Sequence, residues 1–402
     1  MTEAIKLLFV FVVMVVLLMR RANLGAVMAG ASCLLGLLFQ LDLLAWQGVI
    51  VTTLTSVTNL NLLVALALIM VMEEILRREG ILQRMVGALR GLVDNPRVVL
   101  ATLPALVGLL PSSGGAIFSA PMIAEVSSGS GATAEQKSFI NYWYRHIWEL
   151  VSPIYPAVLL IIQVFEKPLD SVLLLLLPTP VIAVLVGWPT AFRGLVFHPF
   201  HSDDPQLRRH LRDLAAGLAP IAIVLLLVLV LKLAAAAALT MVVAGLLFLH
   251  RYSPAKWLPL MREALSVPVL VSVAAVLFFK EMLLATKAVA VLAPLLTAAH
   301  IPVVGLFIVL PFLVGLLTGA PQAFVGTAAP ILIGLVGVSA VSPAMVAMVV
   351  VSGYGGVMLS PAHLCLVLTV SYFKADPGKV YRMAVVPELL LVGITLGYLL
   401  IL

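Results

Sequence analysis

Leu103 to Leu110 reads LPALVGLL, and Leu310 to Leu317 reads LPFLVGLL. The copies stand 207 residues apart (103 to 310), about half of the 402-residue chain. Two more matches keep nearly that register: VMEEIL (Val71 to Leu76) with FFKEML (Phe278 to Leu283), and Ser152-Pro153 with Ser360-Pro361. The chain therefore reads as two repeats, 1–200 and 201–402. Each LVGLL runs straight into a short polar, helix-breaking stretch. In one copy it is Pro111-Ser112-Ser113-Gly114-Gly115, in the other Thr318-Gly319-Ala320-Pro321-Gln322. Interrupted hydrophobic segments at corresponding places in two halves point to the binding site of a secondary transporter.

The chain is 63% hydrophobic and 10% charged, whereas soluble domains carry about 25% charged residues. Its net charge of +6 does not mark a nucleic-acid binder. The basic residues sit in short loops between apolar runs, as membrane topology requires. The first run, Ala4 to Met19, has no basic region before it and no small-residue cleavage site after it, so it reads as a retained span. Cys33 and Cys365 fall inside apolar runs and are expected as free thiols. HExxH, the P-loop, a GxGxxG after a strand and a Cys cluster are all missing from the sequence. Neither an enzyme nor an ATP-driven pump is expected, and no cofactor beyond Na⁺.

Apolar runs give spans at roughly 4–20, 22–40, 56–74, 138–165 and 169–192, then 213–232, 235–250, 265–283, 343–374 and 380–401. Before each LVGLL lies an amphipathic stretch, Arg77 to Leu92 in the first half and Leu284 to Ala299 in the second. The first of these reads as a helix lying at the interface. The LVGLL segments, about 97–125 and 302–337, are too short for two spans each and read as re-entrant hairpins. Such backbone is tolerated at membrane depth only under protein or beside a water-filled cavity. The fourth span of each half is long and broken. The expected breaks are Ser152 to Pro156 in the first half, and Gly353-Tyr354-Gly355-Gly356 and then Ser360-Pro361 in the second, since proline removes a donor and clashes with the preceding turn. The expected fold is an all-α polytopic membrane protein: two repeats of five transmembrane helices, each with one re-entrant hairpin.

Five crossings per half is an odd number, so the repeats should be inverted. Charge tests this independently. With both termini outside the cytoplasm, the inner loops hold eighteen of the 24 Lys and Arg residues, among them Arg20, Arg21, Arg77, Arg78, Arg208 and Arg209. The outer side keeps Lys6, Lys167, Lys232, Lys280 and Lys287, a bias that fits one orientation in the plasma membrane.

Helices that stop at mid-membrane expose unpaired backbone groups and a fractional charge. Small anions suit their N-terminal ends, and Na⁺ suits their carbonyls. Gly114 and Gly115 let a ligand approach the backbone; Ser112, Ser113, Thr318 and Gln322 offer side-chain partners around Gly319. Close helix packing through small residues is the other reading. The next candidates lie in NYWYRHIWE, Asn141 to Glu149. Ionisable groups inside a span are costly and usually face a cavity. Arg145 and Glu149, four apart, share one helix face. Asn141 and Arg145 are read as substrate ligands and Glu149 as the coupling-ion group; a structural ion pair with a snorkelling Arg145 is the alternative. His363, just past a break, reads as a substrate ligand or proton carrier, or as a packing histidine. Ser152, Ser360 and Thr327 complete the coupling-ion set. His146 reads as a packing histidine. Glu73, Glu74 and Glu281 read as interfacial caps, and His198, His201 and His210 as parts of a solvated loop.

At GLLPSSGGAIFSAPMI (Gly108 to Ile123), NYWYRHIWELVSPIYP (Asn141 to Pro156) and LTGAPQAFVGTAAPIL (Leu317 to Leu332) the chain resembles the ion transporter superfamily. That group includes gluconate permeases, citrate and dicarboxylate carriers, and the membrane subunits of binding-protein-dependent carboxylate transporters. The nearest resemblance is to an uncharacterised integral membrane family within it. The resemblance implies inverted repeats, hairpins meeting near the bilayer centre, a homodimer, elevator-like movement, and a small organic anion carried with Na⁺ or H⁺. The tips depart from the Ser-Asn-Thr signature of the dicarboxylate members, so substrate identity does not carry over. A passive channel and a non-transporting scaffold or accessory subunit remain the rival classes.

Overall fold

A backbone that must cross hydrocarbon satisfies every N–H and C=O internally, which for a single segment means a helix. Helices are the regular structure of the described residues, 2–20, 22–110, 115–197, 206–287, 302–361 and 363–402 of a computed structural model, and no strand occurs among them. The first half runs α1 (Thr2–Met19), α2 (Leu24–Leu38), α3 (Leu43–Thr55), α4 (Val57–Arg78) and α5 (Ile81–Leu92). A helical pair follows, α6 (Pro96–Val107) and α7 (Gly115–Val126), then α8 (Ala134–Arg145), α9 (Pro156–Phe165), α10 (Leu169–Leu176) and α11 (Thr179–Phe192). The second half runs α12 (Leu207–Leu225), α13 (Ala235–Leu249), α14 (Pro254–Ala264) and α15 (Val267–Thr286). Its helical pair is α16 (Val303–Thr318) and α17 (Pro321–Val336), followed by α18 (Pro343–Met358), α19 (Leu364–Phe373) and α20 (Pro377–Ile401).

Five helical stretches, Val57–Arg78, Leu169–Phe192, Leu207–Val228, Val267–Thr286 and Pro377–Ile401, are long and apolar enough to cross a bilayer. The surface has the matching polarity: Leu43, Leu185 and Phe248 stand exposed, while Arg145, Glu149 and Glu388 are buried. This inversion of the water-soluble pattern is what a lipid solvent selects.

The halves pack reciprocally. α2 packs on α15 and its counterpart α13 on α4; α9 packs on α17 and its counterpart α19 on α7.

Several boundaries differ from the sequence reading. α3 and α14 are additional short helices. Asp42 caps α3 by accepting from Ala45 N at 2.7 Å, and Pro254 opens α14 with its preset φ. At 13 and 11 residues they are too short to span. The amphipathic segment is a helix only from Ile81, because Gly80 turns the chain with φ +64°. Ile81, Met85, Val86 and Leu89 are buried, and the helix packs on α12, α4 and α6. Most of its counterpart lies outside the described residues. The stretch Gly353 to Gly356 does not break the fourth span of the second half: α18 runs on to Met358. These glycines serve packing, since a Cβ at Gly353 would overlap the Phe324 ring, one at Gly355 Val392, and one at Gly356 the carbonyl oxygen of Phe312. The helix ends at Met358, just before Ser360-Pro361, and the next begins at Leu364. In the first half the break starts at His146, earlier than Ser152.

Candidate functional site

α8 delivers the site. Thr133 accepts from Gln136 N at 3.1 Å while the Gln136 side chain accepts from Thr133 N at 3.2 Å, a reciprocal cap that fixes where the helix begins. Beside it, at the exposed start, Glu135 is held below the usual carboxylate range by its own backbone N–H and then by the Thr133 hydroxyl. Everything from Ser138 to Arg145 is buried. Trp143 Nε1 donates to Ala183 O at 2.9 Å and lies where a Cβ of Gly187 would be. The helix then unwinds at His146, and the loop to Pro156 turns Arg145, Glu149 and Tyr155 toward one cavity of about 490 Å³.

The second half supplies the facing wall: Gly319 and Gln322 of the α16–α17 turn, Tyr354 of α18, and His363 and Cys365 at the start of α19. Glu73, Arg77 and Glu263 stand at the end of α4 and in α14 and line the same space. Arg145 Nη1 lies 3.3 Å from Cys365 Sγ. Tyr142 Oη donates to Met358 O at 2.9 Å. With its single proton given away there, Tyr142 receives the Nδ1–H of His363 at 2.9 Å. Glu149 Oε1 lies 3.7 Å from His146 Nε2.

Both helical pairs touch the segments that build this cavity, and the repeated motif supplies the contacts. Tyr155 Oη donates to Gly108 O, satisfying a carbonyl at the end of α6. A Cβ on Gly108 would overlap the carbonyl oxygen of Arg145, and one on Gly315 that of Gly353. The glycine of each LVGLL is thus the point of closest approach between α6 or the turn after it and the end of α8, and between α16 and α18. In the second hairpin Gly319 closes α16 in the left-handed region at φ +64°. Ala320 then opens α17 with no side-chain cap; Pro321 has no N–H and Ala323 N donates to Ala320 O, so the Gln322 end of the helix and its partial positive charge stand at the cavity wall.

Of the residues singled out from sequence, Arg145, Glu149, Gly319, Gln322 and His363 line this cavity together. Ser112, Ser113 and Gly114 lie outside the described residues, and Gly115 is the first residue of α7. Asn141 stands elsewhere: it accepts from Ser119 Oγ at 2.6 Å and donates to Ala116 O at 2.9 Å and Thr369 Oγ1 at 3.1 Å. It ties α7 and α19 to α8. Thr318 turns its hydroxyl back to Val314 O at 2.7 Å. Ser152, Ser360 and Thr327 are buried but do not line the cavity. Glu73 and Glu74 both line the cavity; Glu74 pairs with Arg77 and Arg78, and Arg78 with Glu263. The matching FFKEML segment borders a second cavity, about 510 Å³, where buried Lys280 meets Glu166 at 3.3 Å beside Glu281. His210 packs over Gly91; His198 and His201 lie outside the described residues.

Sequence reasoning missed Tyr354, Cys365 and Glu388. The glycines around Tyr354 read as a break. Cys365 read only as a thiol in an apolar run. Glu388 had a signal that went unused, because it is the one acid inside the apolar helix Pro377–Ile401.

His146, His363 and Cys365 offer ligand atoms within 4.8 Å of one another. The Arg145 guanidinium already occupies the thiol, and a fixed positive charge there opposes a cation, so this set does not fit a resident metal. What the cavity offers is the buried Arg145 guanidinium with Glu149 on the same wall, an uncapped helix start, amide and hydroxyl donors, and Arg77 among the carboxylates of Glu73, Glu74 and Glu263 at its α4 and α14 side.

An all-helical chain with an apolar exterior and buried charges around an internal polar cavity has the make-up of a multi-pass membrane protein. Residues 2–402 match the family described as protein of unknown function (DUF401), and the chain belongs to that family. No curated protein matches it.

Proposed function

We propose that the protein is a secondary active transporter of a small organic anion, a carboxylate or sugar acid, coupled to Na⁺ or H⁺. The observation that carries this reading is the 490 Å³ cavity, into which Arg145 and Glu149 of one half and Gly319, Gln322 and His363 of the other converge. The volume suits a small ligand. Arg145 and the start of α17 supply the attraction for a carboxylate. Glu149 ties occupancy to a proton or cation, because a carboxylate beside a bound anion favours a counter-charge.

In this reading the chain is a distant member of the ion transporter superfamily. It consists of two inverted repeats of five spans and a hairpin each, with both termini outside the plasma membrane. The reciprocal packing of the halves and the corresponding cavities beside VMEEIL and FFKEML support alternating access by an elevator-like movement, in a homodimer. A passive channel is the rival, and a non-transporting scaffold has less support, since it has no use for buried charge at a helix break.

The test is a thermal-shift screen of organic anions with and without Na⁺, followed by uptake of the best ligand into proteoliposomes. Uptake driven by an imposed Na⁺ or proton gradient is the expected result. Uptake that ignores both gradients makes the protein a pore, and no ligand and no flux returns it to the scaffold class. Glu149→Gln should abolish or uncouple uptake. If uptake and its ion dependence survive both Glu149→Gln and His363→Ala, these groups do not set the coupling.

A further inference from the structure

Behind the large cavity lies a second space that the sequence reading did not anticipate. Its volume is about 20 Å³, and His146, Tyr354 and Glu388 line it among apolar neighbours such as Leu150 and Leu391. Each of the three polar residues is more than nine-tenths buried. Each turns an atom there that finds no hydrogen-bond partner among the described residues: His146 Nε2, Tyr354 Oη and Glu388 Oε2. A buried polar atom left unpaired costs about 1–3 kcal/mol, so three around one space need a common partner. A space of roughly 10–15 Å³ or more with two to four polar neighbours holds a water. This one meets both conditions.

The roles of the three atoms are fixed by their surroundings. His146 Nδ1 faces the carbonyl oxygen of Tyr142, which only accepts, so Nδ1 carries the proton and Nε2 is an acceptor. The Tyr354 hydroxyl donates. Glu388 sits mid-way along a 25-residue apolar helix, and among the described residues its Oε2 meets no donor. The elements against α20 bring Tyr142, Arg145 and His146 from α8 and its end, Tyr354 from α18, and Cys365 and His363 from α19; α11 brings no titratable group. His146 itself has Arg145 and His363 as charged and titratable neighbours besides Glu149. On α20 itself Lys379, Tyr381 and Arg382 lie more than a turn from Glu388. Two oxygens and one ring nitrogen are too few for Na⁺, whose sites are built from several oxygens. A proton needs only these.

His146 Nε2 also faces Glu149 Oε1 at 3.7 Å, and Tyr354 lines both spaces. We propose that the small space is a proton site: one water there joins Glu388, Tyr354 and His146, and His146 passes a proton between Glu388 and Glu149 on the large cavity. The proton leaves the Glu388 carboxyl for the water, the water gives one to His146 Nε2, and the imidazolium gives one to Glu149. Charge moves and no bond other than O–H and N–H changes. The proposal rests on the transporter reading and selects H⁺ as its coupling ion.

The test needs no substrate. Infrared spectra of the purified protein in liposomes, titrated from acid to alkaline, should contain a protonated-carboxyl band that Glu388→Gln removes and Na⁺ leaves unchanged. In D₂O that band should shift quickly in the wild type. His146→Leu should slow the exchange on the order of a hundredfold, the usual scale of a positioned acid–base group, while the band keeps its position. Should Glu388→Gln fail to fold by gel filtration, Glu388→Asp, which moves the band instead of deleting it, makes the assignment. No band assignable to residue 388 at any pH, a band displaced by Na⁺, or exchange equally fast in His146→Leu each overturns the proposal. A protein that carries no anion at all leaves this spectroscopic result standing, so the two failures are distinguishable.

Discussion

Arg145 Nη1 lies 3.3 Å from Cys365 Sγ, across 220 residues of sequence, and the pair joins the two halves at the wall of the large cavity. A guanidinium is a cation at any working pH, and the Cys365 thiol lies beside it. In a Cys33→Ser background, an anionic methanethiosulfonate should modify Cys365 faster than a cationic one of the same size, by about tenfold through local charge. The preference should vanish in Arg145→Gln. Mass spectrometry of the timed reaction checks this, and equal rates in the parent protein would place Arg145 away from the path of an anion.

Gly108 and Gly315 should tolerate no side chain. Gly108→Ala and Gly315→Ala each drive a methyl group into a carbonyl oxygen of the fourth span and should cost about 1–3 kcal/mol, the usual penalty of overpacking. Gly30 and Gly393, which have nothing within 4 Å of a new Cβ, should gain about 0.5–1 kcal/mol on the same change through helix propensity. Melting temperatures in one detergent decide the matter. A Gly108→Ala protein as stable as Gly30→Ala would contradict the packing.

Asn141 and Gln322 should separate stability from binding. Asn141→Ala strands Ala116 O and removes the bonds to Ser119 and Thr369, costing about 1–3 kcal/mol of stability with little change in anion affinity. Gln322→Ala should leave the melting temperature in place and weaken the anion found in the screen about tenfold to a hundredfold, as expected for 1.5–3 kcal/mol. Thr318→Ala should do neither, because its hydroxyl is turned to Val314 O. Calorimetry and thermal melts on the three variants read this directly.

Single cysteines placed at Asp42 and Glu166 should react with an impermeant maleimide from outside the cell, and those at Arg78 and Arg208 only after the membrane is opened. The pattern tests the inverted orientation that the charge bias sets. Reversed labelling, or labelling of all four positions from one side, would remove it.

The sequence by itself determined that the chain is helical and apolar outside, and it marked where the two helical pairs lie. These properties are local. A long apolar run has only the helix as a solution in lipid, and a Pro- or Gly-rich stretch interrupts it wherever it occurs. α6 and α7, and α16 and α17, begin and end within a few residues of the segments read around the two LVGLL copies. Arg145 and Glu149 were legible because charge inside a span demands a reason.

Only the tertiary structure decided what those residues meet. Asn141 and Arg145 stand one turn apart on α8, yet one ties helices together and the other lines a cavity, a difference set by which helices pack on each face. The glycines at 353–356 look like a breaker in sequence and are a contact surface in the fold, because glycine permits close approach as readily as it permits a turn. Cys365 becomes a partner of Arg145, and Glu388 joins His146, through pairings more than 200 residues long that no local pattern encodes, and Tyr354 comes to them from another helix. Burial gives each of these groups its chemistry, and burial is a property of the whole packed chain.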